Sequence, residues 1–258
     1  MQAPTNTPVI EFVDVSYRVD GVQVLSGLSL QVAPGETLVL LGRSGSGKTT
    51  TLKLVNRLAV PSSGDVRVNG ESNAKTDVIR LRRSIGYVIQ EVGLFPHFTV
   101  ERNIGLVPKI EGWAQDRIRA RVSELLQLVG LAPEFATRYP HQLSGGQRQR
   151  VGVARALAAE PGILLMDEPF GALDPLTRDE LQHEFSRLQK RLHKTVVFVT
   201  HDLCEALRLG SRIALMEAGK LVTVLTPDEF VKSDDRWASA YVRAFEAGLD
   251  SLQDRGKS

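Results

Sequence analysis

The sequence predicts an α/β fold in which helices cover both faces of a mostly parallel sheet. Short continuous apolar runs recur along the chain with helical stretches between them, which is typical of parallel strands that are buried on both faces. The N-terminal part instead alternates apolar and polar residues, as half-buried antiparallel strands do. A segment in the middle shows only helical periodicity, which indicates a helical insertion.

The predicted strands follow in order. Residues Ile10–Val19 alternate between apolar and polar side chains, and residues 28–32 do so again before a turn at Pro34, so we expect an antiparallel pair. The buried parallel strands are predicted at five continuous apolar runs, which are Thr37–Leu41 and residues 85–89, 163–166, 196–199 and 213–216. The last run begins a strand pair that extends to about residue 224.

The middle segment divides the chain. Between residues 91 and 161 the apolar side chains recur at helical spacing, and strand patterns stop. We therefore expect a core with its β subdomain over residues 8–90 and 162–225, with a helical subdomain over residues 91–161 inserted between them. Residues 226–258 are expected to form a short C-terminal extension with two short helices and a frayed end.

Composition limits the function classes. The 258 residues are 42% apolar and 24% charged, which fits a globular protein and excludes a disordered or fibrous one. No apolar run approaches the ~20 residues that span a bilayer. With 32 basic and 30 acidic residues, the chain has no nucleic-acid footprint, so we expect no nucleic-acid partner. The single cysteine, Cys204, and an N-terminus without a secretory signal favour a reducing compartment.

A glycine-rich loop follows the first buried strand and precedes a predicted helix over residues 50–58. This P-loop motif occurs in the strand–loop–helix context that it requires, because its backbone N–H groups and the helix N-terminus converge on phosphate. We expect Lys48 to reach the β- and γ-phosphates, Thr49 to hold Mg²⁺ and Thr50 to bond the α-phosphate. The loop consists of Gly42, Arg43, Ser44, Gly45, Ser46, Gly47, Lys48 and Thr49.

Two adjacent carboxylates end the buried strand at residues 163–166. They are Asp167 and Glu168, and ligands of α/β sheets bind at this carboxyl edge. Because adjacent strand residues face opposite ways, we expect the two carboxylates to have different roles. Asp167 is assigned to Mg²⁺, through water, and Glu168 is assigned to the attacking water as its general base.

A second glycine-rich segment lies in the helical insertion, away from the P-loop. It consists of Ser144, Gly145, Gly146 and Gln147, and it precedes a predicted helix over residues 148–158, so it forms a second phosphate-receptive helix N-terminus. Together these motifs resemble the nucleotide-binding subunit of an ABC transporter, from about residue 8 to 230. The resemblance implies a RecA-like P-loop NTPase core and a head-to-tail dimer. In that dimer residues 144–147 of one subunit, called the signature segment below, close over ATP on the P-loop of the other.

The resemblance implies roles for four further residues. Tyr17 stands where an aromatic ring stacks on adenine, although packing in an edge strand is the alternative. Gln90 corresponds to the glutamine that touches Mg²⁺ and links the core to the helical subdomain. Asp174 follows residues 171–173 in the loop that crosses the dimer, where the family more often has Ser than Gly171. His201 corresponds to the histidine that contacts the γ-phosphate and orients the catalytic glutamate.

Three function classes compete. A small-molecule P-loop kinase has no use for the second helix N-terminus, and soluble ABC ATPases of DNA repair or translation usually join two cassettes or carry extra modules. The resemblance therefore favours an importer ATPase at the cytoplasmic face of the cell membrane. Its implied partners are a second copy of the chain, integral membrane permease subunits and, indirectly, an extracytoplasmic solute-binding protein.

The substrate class is predicted from the resemblance of three segments. Residues 50–58, 90–100 and 170–178 resemble importers of glycine betaine, choline and related osmoprotectants. Importers of methionine, polyamines or other amino acids are the alternative. Many members of that family continue into a paired regulatory module, whereas this chain ends at Ser258, so osmotic self-regulation by such a module is not expected.

Overall fold

The computed structural model describes residues 7–90, 93–171 and 173–255, with side chains described up to Ala247. Within these residues the elements are β1 (Ile10–Val19), β2 (Val22–Val32), β3 (Thr37–Leu41), α1 (Lys48–Val55), β4 (Ser63–Val68), β5 (Glu71–Ser72), α2 (Val78–Arg83), β6 (Ile85–Val88), α3 (Val100–Ile104), α4 (Leu106–Ile110), α5 (Gln115–Leu128), α6 (Gly145–Leu157), β7 (Ile163–Asp167), α7 (Pro175–Leu192), β8 (Thr195–Thr200), α8 (Leu203–Leu209), β9 (Arg212–Glu217), β10 (Lys220–Leu225), α9 (Pro227–Val231) and α10 (Arg236–Arg255). Two short 3₁₀ helices, Pro133–Thr137 and Pro140–Gln142, precede α6.

The central sheet has six strands in the order β10-β9-β3-β8-β7-β6, and all neighbours except β10 and β9 run parallel. Alternate residues of β3 pack into different clusters, because Leu38 and Leu40 face one side and Val39 and Leu41 face the other. This two-sided burial explains the continuous apolar runs, and the predicted α/β fold is confirmed. The carboxyl ends of β3, β7 and β8 meet at one edge of the sheet.

A second sheet is antiparallel, with strand order β2-β1-β4-β5. Its inward side chains, such as Phe12 and Leu28, pack with Leu52 of α1 and Leu40 of β3 in one core. Most outward side chains are polar, with Val13, Val19 and Val22 as exposed exceptions, and this accounts for the alternation in this part of the sequence. The sheet thus covers the side of α1 that faces away from the central sheet.

Between β6 and β7 every described element is helical. Ile118 and Leu125 of α5 pack with Val151 and Ala154 of α6, and these residues continue the core on the second face of the central sheet. Arg121 of α5 donates to the carbonyl of Leu157 at 2.9 Å and so ties α5 to the end of α6. No helix that the structure describes is both long and apolar enough to span a bilayer.

The prediction of two short C-terminal helices is wrong for the second one. α9 has five residues, but α10 has twenty and continues to Arg255, where a frayed end was expected. Asp235 begins α10, because its Oδ1 accepts hydrogen bonds from the N–H groups of Trp237 (2.9 Å) and Ala238 (3.0 Å). Ala238 is fully buried and Phe245 packs on the same core, so tertiary packing sustains the helix beyond its first turns.

Candidate nucleotide-binding site

The loop between β3 and α1 turns sharply into the helix. Gly47 caps α1 with φ at 98°, a value that L side chains rarely adopt. A Cβ at this position would also lie 2.5 Å from Leu25 Cδ2 and 3.2 Å from the carbonyl oxygen of Val24, so glycine is strongly favoured here. The turn leaves the first N–H groups of α1 free of partners within the helix, and these groups suit an anion.

Lys48 lies inside the loop. It is 4% exposed, and its Nζ donates to the carbonyl oxygens of Gly42 (2.7 Å) and Arg43 (2.8 Å). Burial lowers the pKa of Lys48, whereas the charges of Glu168 and Asp167 raise that pKa. The ammonium group is therefore held at the mouth of the loop by weak neutral acceptors that phosphate oxygens can replace.

Asp167 and Thr49 form the second part of the site. Thr49 Oγ1 donates to Asp167 Oδ1 at 2.9 Å, at the end of β7. Burial raises the pKa of Asp167, and the Thr49 hydrogen bond acts against that rise. A hydroxyl and a carboxylate oxygen at this distance are the kind of ligands that Mg²⁺ takes from a protein when phosphate and water supply the rest.

Glu168 directly follows β7, at the edge of the sheet where β6 and β8 also end. Its φ is 43°, and its N–H donates to the carbonyl of Val199 on β8 at 3.0 Å, so the backbone is fixed in a strained left-handed conformation. His201 Nδ1 lies 3.3 Å from Glu168 Oε2, and Gln90 Nε2 donates to the same oxygen at 3.4 Å. Gln90, which follows β6, and His201, which follows β8, thus both contact one carboxylate oxygen of Glu168, which follows β7.

One cavity of about 730 Å³ is lined by Lys48, Thr49, Gln90, Glu168 and His201, whereas Asp167 lies behind Thr49 and is not part of the lining. Its wall includes a helix face that the sequence analysis missed, made of Trp237, Ala240, Tyr241 and Ala244 of α10. The spacing of these residues, i, i+3, i+4 and i+7, was the signal that could have found the face. The other lining residues are Val24, Arg43, Ser44, Gly45, Gly47, Lys48, Thr49, Thr50, Gln90, Glu168 and His201.

Outside the signature segment, five predicted site residues are absent from this lining: Gly42, Ser46, Asp167, Tyr17 and Asp174. Tyr17 is half-buried on β1, opposite Leu25 of β2, and packs against the core beneath the antiparallel sheet. Asp174 caps α7, because its Oδ1 accepts from the N–H of Thr177 at 3.1 Å, and this backbone hydrogen bond lowers the pKa of Asp174. Ala172, in the predicted dimer-crossing loop, is outside the described residues.

The signature segment is also separate from the cavity of its own chain. Ser144 caps α6: its Oγ accepts from the N–H of Gln147 at 3.2 Å, and Gln147 Oε1 accepts from the N–H of Ser144 at 3.0 Å. A Cβ on Gly146 would lie 2.5 Å from Thr177 Cγ2, so α6 packs closely on the first turn of α7. Ser144 and Gly145 are exposed, and a second molecule can reach them.

We expect Ala244→Leu to weaken nucleotide binding about tenfold, because the longer side chain would project from α10 into the cavity. Ala247→Leu is the matched control, since Ala247 is also exposed on α10 but does not line the cavity. Titration with a fluorescent ATP analogue measures both dissociation constants. Equal constants for the two variants would contradict the assignment of α10 as a wall of the site.

Residues 25–171 match the family model described as ABC transporter. The chain is 53% identical over 224 residues to the choline transport ATP-binding protein OpuBA of Bacillus subtilis (strain 168), a match that covers 87% of this chain and 58% of that protein. It is 49% identical over 237 residues to the glycine betaine uptake system ATP-binding protein YehX of Escherichia coli (strain K12), covering 92% of this chain and 76% of that protein. The chain thus spans less than two thirds of OpuBA.

Solved structures agree with these matches. A dimeric post-hydrolysis state of the ATP-binding cassette MJ0796, bound to ADP and Pi, has a TM-score of 0.77 at 33% identity, covering 84% of this chain and 98% of that one. The cbiO1 subunit from Clostridium perfringens has a TM-score of 0.81 at 27% identity, covering 95% and 99%. The resemblance predicted from the motifs is confirmed, and the chain belongs to the ABC transporter family as a nucleotide-binding cassette.

Proposed function

We propose that the chain is the ATP-hydrolysing subunit of an ABC importer for osmoprotectants such as glycine betaine or choline. The observation that carries the hydrolytic role is the convergence of Gln90 and His201 on Glu168, in the cavity that Lys48 lines. A carboxylate held by two side chains beside a phosphate-binding loop is suited to orient a water molecule for attack on the terminal phosphate.

The residues divide the work of hydrolysis. Backbone N–H groups of the loop and Lys48 bind the β- and γ-phosphates and stabilise the charge that builds up on them. Glu168 orients the attacking water and accepts one of its protons. His201 contacts the Glu168 carboxylate and also faces the γ-phosphate. Thr49 and Asp167, with Gln90 nearby, would hold Mg²⁺. When bound, this ion neutralises phosphate charge and aligns the β- and γ-phosphates.

The chain is proposed to act as a head-to-tail dimer around two ATP molecules. Ser144 and Gly145 are exposed and lie outside the cavity of their own chain, which supports their use by a partner copy. The MJ0796 cassette, with which this chain shares 34% identity and a TM-score of 0.77, has a dimeric structure. In such a dimer Ser144, Gly145, Gly146 and Gln147 complete the partner's site, and Tyr17 and Asp174 are proposed to contact the nucleotide once the dimer has closed.

An exposed aromatic turn supports a membrane-subunit partner. The turn consists of Leu94, Phe95, Pro96, His97 and Phe98, and the ring centroids of Phe95 and Phe98 are 5.3 Å apart. The buried Asn103 side chain fixes the turn, since it accepts from the N–H of Phe95 (2.8 Å) and donates to the carbonyl of Phe98 (3.1 Å). Phe95 is 41% exposed and lies five residues after Gln90. A permease helix docked here could therefore shift Gln90 relative to Glu168.

We expect Phe95→Ala to reduce transport-coupled hydrolysis about tenfold and to leave nucleotide binding unchanged, because the docking surface lies outside the cavity. Hydrolysis by the chain reconstituted with its permease, compared with ATP binding by the isolated chain, measures the two effects. Ile79→Ala removes an apolar side chain on α2 that is more exposed than Phe95, at 57%, and is the control. Full coupling in Phe95→Ala would contradict the docking role.

The substrate assignment rests on the relatives, which are named for choline and for glycine betaine. A strain lacking the gene would be grown at high salt, and uptake of radiolabelled betaine, choline, methionine and a polyamine would be measured. Loss of betaine or choline uptake alone supports the proposal. Loss of methionine, polyamine or amino-acid uptake instead would overturn the substrate class and keep the importer. Normal uptake with defective DNA repair would favour a soluble ABC ATPase.

A further inference from the structure

The loop that carries His201 is fixed from behind by a buried hydrogen-bond network. Thr200 Oγ1 donates to Glu205 Oε2 at 2.6 Å and accepts from the N–H of Asp202 at 3.0 Å. The residues before and after His201 are therefore joined through one hydroxyl. Glu205 is 3% exposed on α8, so its carboxylate is buried and its hydrogen bonds are costly to lose.

Helix α7 holds both ends of this network. Gln182 Nε2 donates to Glu205 Oε1 at 3.0 Å, and Arg178 Nη1 lies 3.8 Å from Asp202 Oδ2. Arg178 and Gln182 are four residues apart, so they share one face of α7. Arg208 Nη1 donates to Gln182 Oε1 at 3.1 Å, which turns the amide group of Gln182 so that its NH₂ faces Glu205.

Arg178 also contacts the loop that follows Glu168. Arg178 Nη2 donates to the carbonyl of Leu173 at 3.3 Å and lies 3.5 Å from the carbonyl oxygen of Gly171. Gly171 in turn donates its N–H to the carbonyl of Glu168 at 3.1 Å. One planar guanidinium with several donors thus contacts the loops on both sides of the pair formed by Glu168 and His201.

We propose that Arg178 and Glu205 are positioning residues that fix the position of His201 relative to Glu168. Arg178 fixes the loops after Glu168 and around Asp202 relative to each other, and Glu205 fixes the Thr200 end of the His201 loop to α7. Neither residue lines the nucleotide cavity, so they act through His201 and leave nucleotide binding alone. The inference rests on the proposed hydrolytic role of His201.

Glu205→Gln tests the proposal, because it keeps the shape of the side chain and replaces one acceptor oxygen with a donor. We expect kcat for ATP hydrolysis to fall about tenfold with an unchanged dissociation constant for ATP. In a His201→Ala background the same substitution should cause no further fall, because its effect passes through His201. Melting temperatures identify any variant that fails to fold.

Arg178→Ala is the second variant, should Glu205→Gln not fold, and the same split between kcat and ATP affinity is expected of it. Arg187→Ala is the control on α7, since Arg187 is exposed, and it should leave kcat unchanged. If the Glu205→Gln or Arg178→Ala losses multiply with the His201→Ala loss, the positioning role is overturned and His201 keeps its own. If His201→Ala alone leaves hydrolysis unchanged, the proposed role of His201 in hydrolysis fails.

Discussion

Glu168→Gln is expected to reduce ATP turnover by about 10²- to 10⁴-fold, because the amide cannot accept a proton from the attacking water. ATP binding should survive, since Lys48 and the loop that are proposed to hold the phosphates are unchanged. The variant should therefore accumulate as an ATP-bound dimer. Turnover is measured by phosphate release, and the dimer by gel filtration with and without ATP.

The matched control is Glu111→Gln, which removes an equal charge from an exposed residue outside the cavity. It should neither slow turnover nor hold the chain as a dimer. Wild-type turnover in Glu168→Gln would show that another group activates the water. A dimer that forms equally without ATP would show that nucleotide does not hold the two copies together.

The sequence predicts the central sheet well, because each buried strand has to be apolar on both faces. At β3, Leu38 and Val39 pack on opposite faces, so both positions require apolar side chains. The P-loop is predicted for the same kind of reason, since the left-handed backbone at Gly47 strongly favours glycine. In both cases the local physical requirement leaves few choices, so the pattern survives in the sequence.

The parts that the sequence did not predict depend on distant packing. The length of α10 was underestimated because its stability comes from burial of Ala238 and from contacts of Phe245 with the core, and neither contact is visible in a local pattern. Its position beside the cavity was missed for the same reason. The network around Glu205 was missed because a buried polar residue carries no periodic signal, and its partners Gln182 and Thr200 lie on other elements.

Lys48→Ala is expected to weaken ATP binding about a hundredfold, because the phosphates lose a charged donor at the mouth of the loop. Lys53→Ala, on the exposed side of the same helix, is the control and should bind ATP normally. The measurement is a titration with a fluorescent ATP analogue, together with melting curves. Unchanged affinity in Lys48→Ala would contradict the assignment of the loop as the phosphate site.

Lys48→Ala also allows a test of the shared site. Ser144→Arg should block dimer closure and leave ATP binding by the single chain intact, because Ser144 lies outside its own cavity. Neither variant should hydrolyse ATP alone. In an equal mixture, half of the dimers are mixed, and each mixed dimer keeps one site with an intact Lys48 and an intact partner Ser144. Activity should then recover to about a quarter of wild type when the sites act independently. Mixtures that remain inactive at every ratio, although cross-linking shows that mixed dimers close in the presence of ATP, would mean that both motifs serve the same chain's nucleotide.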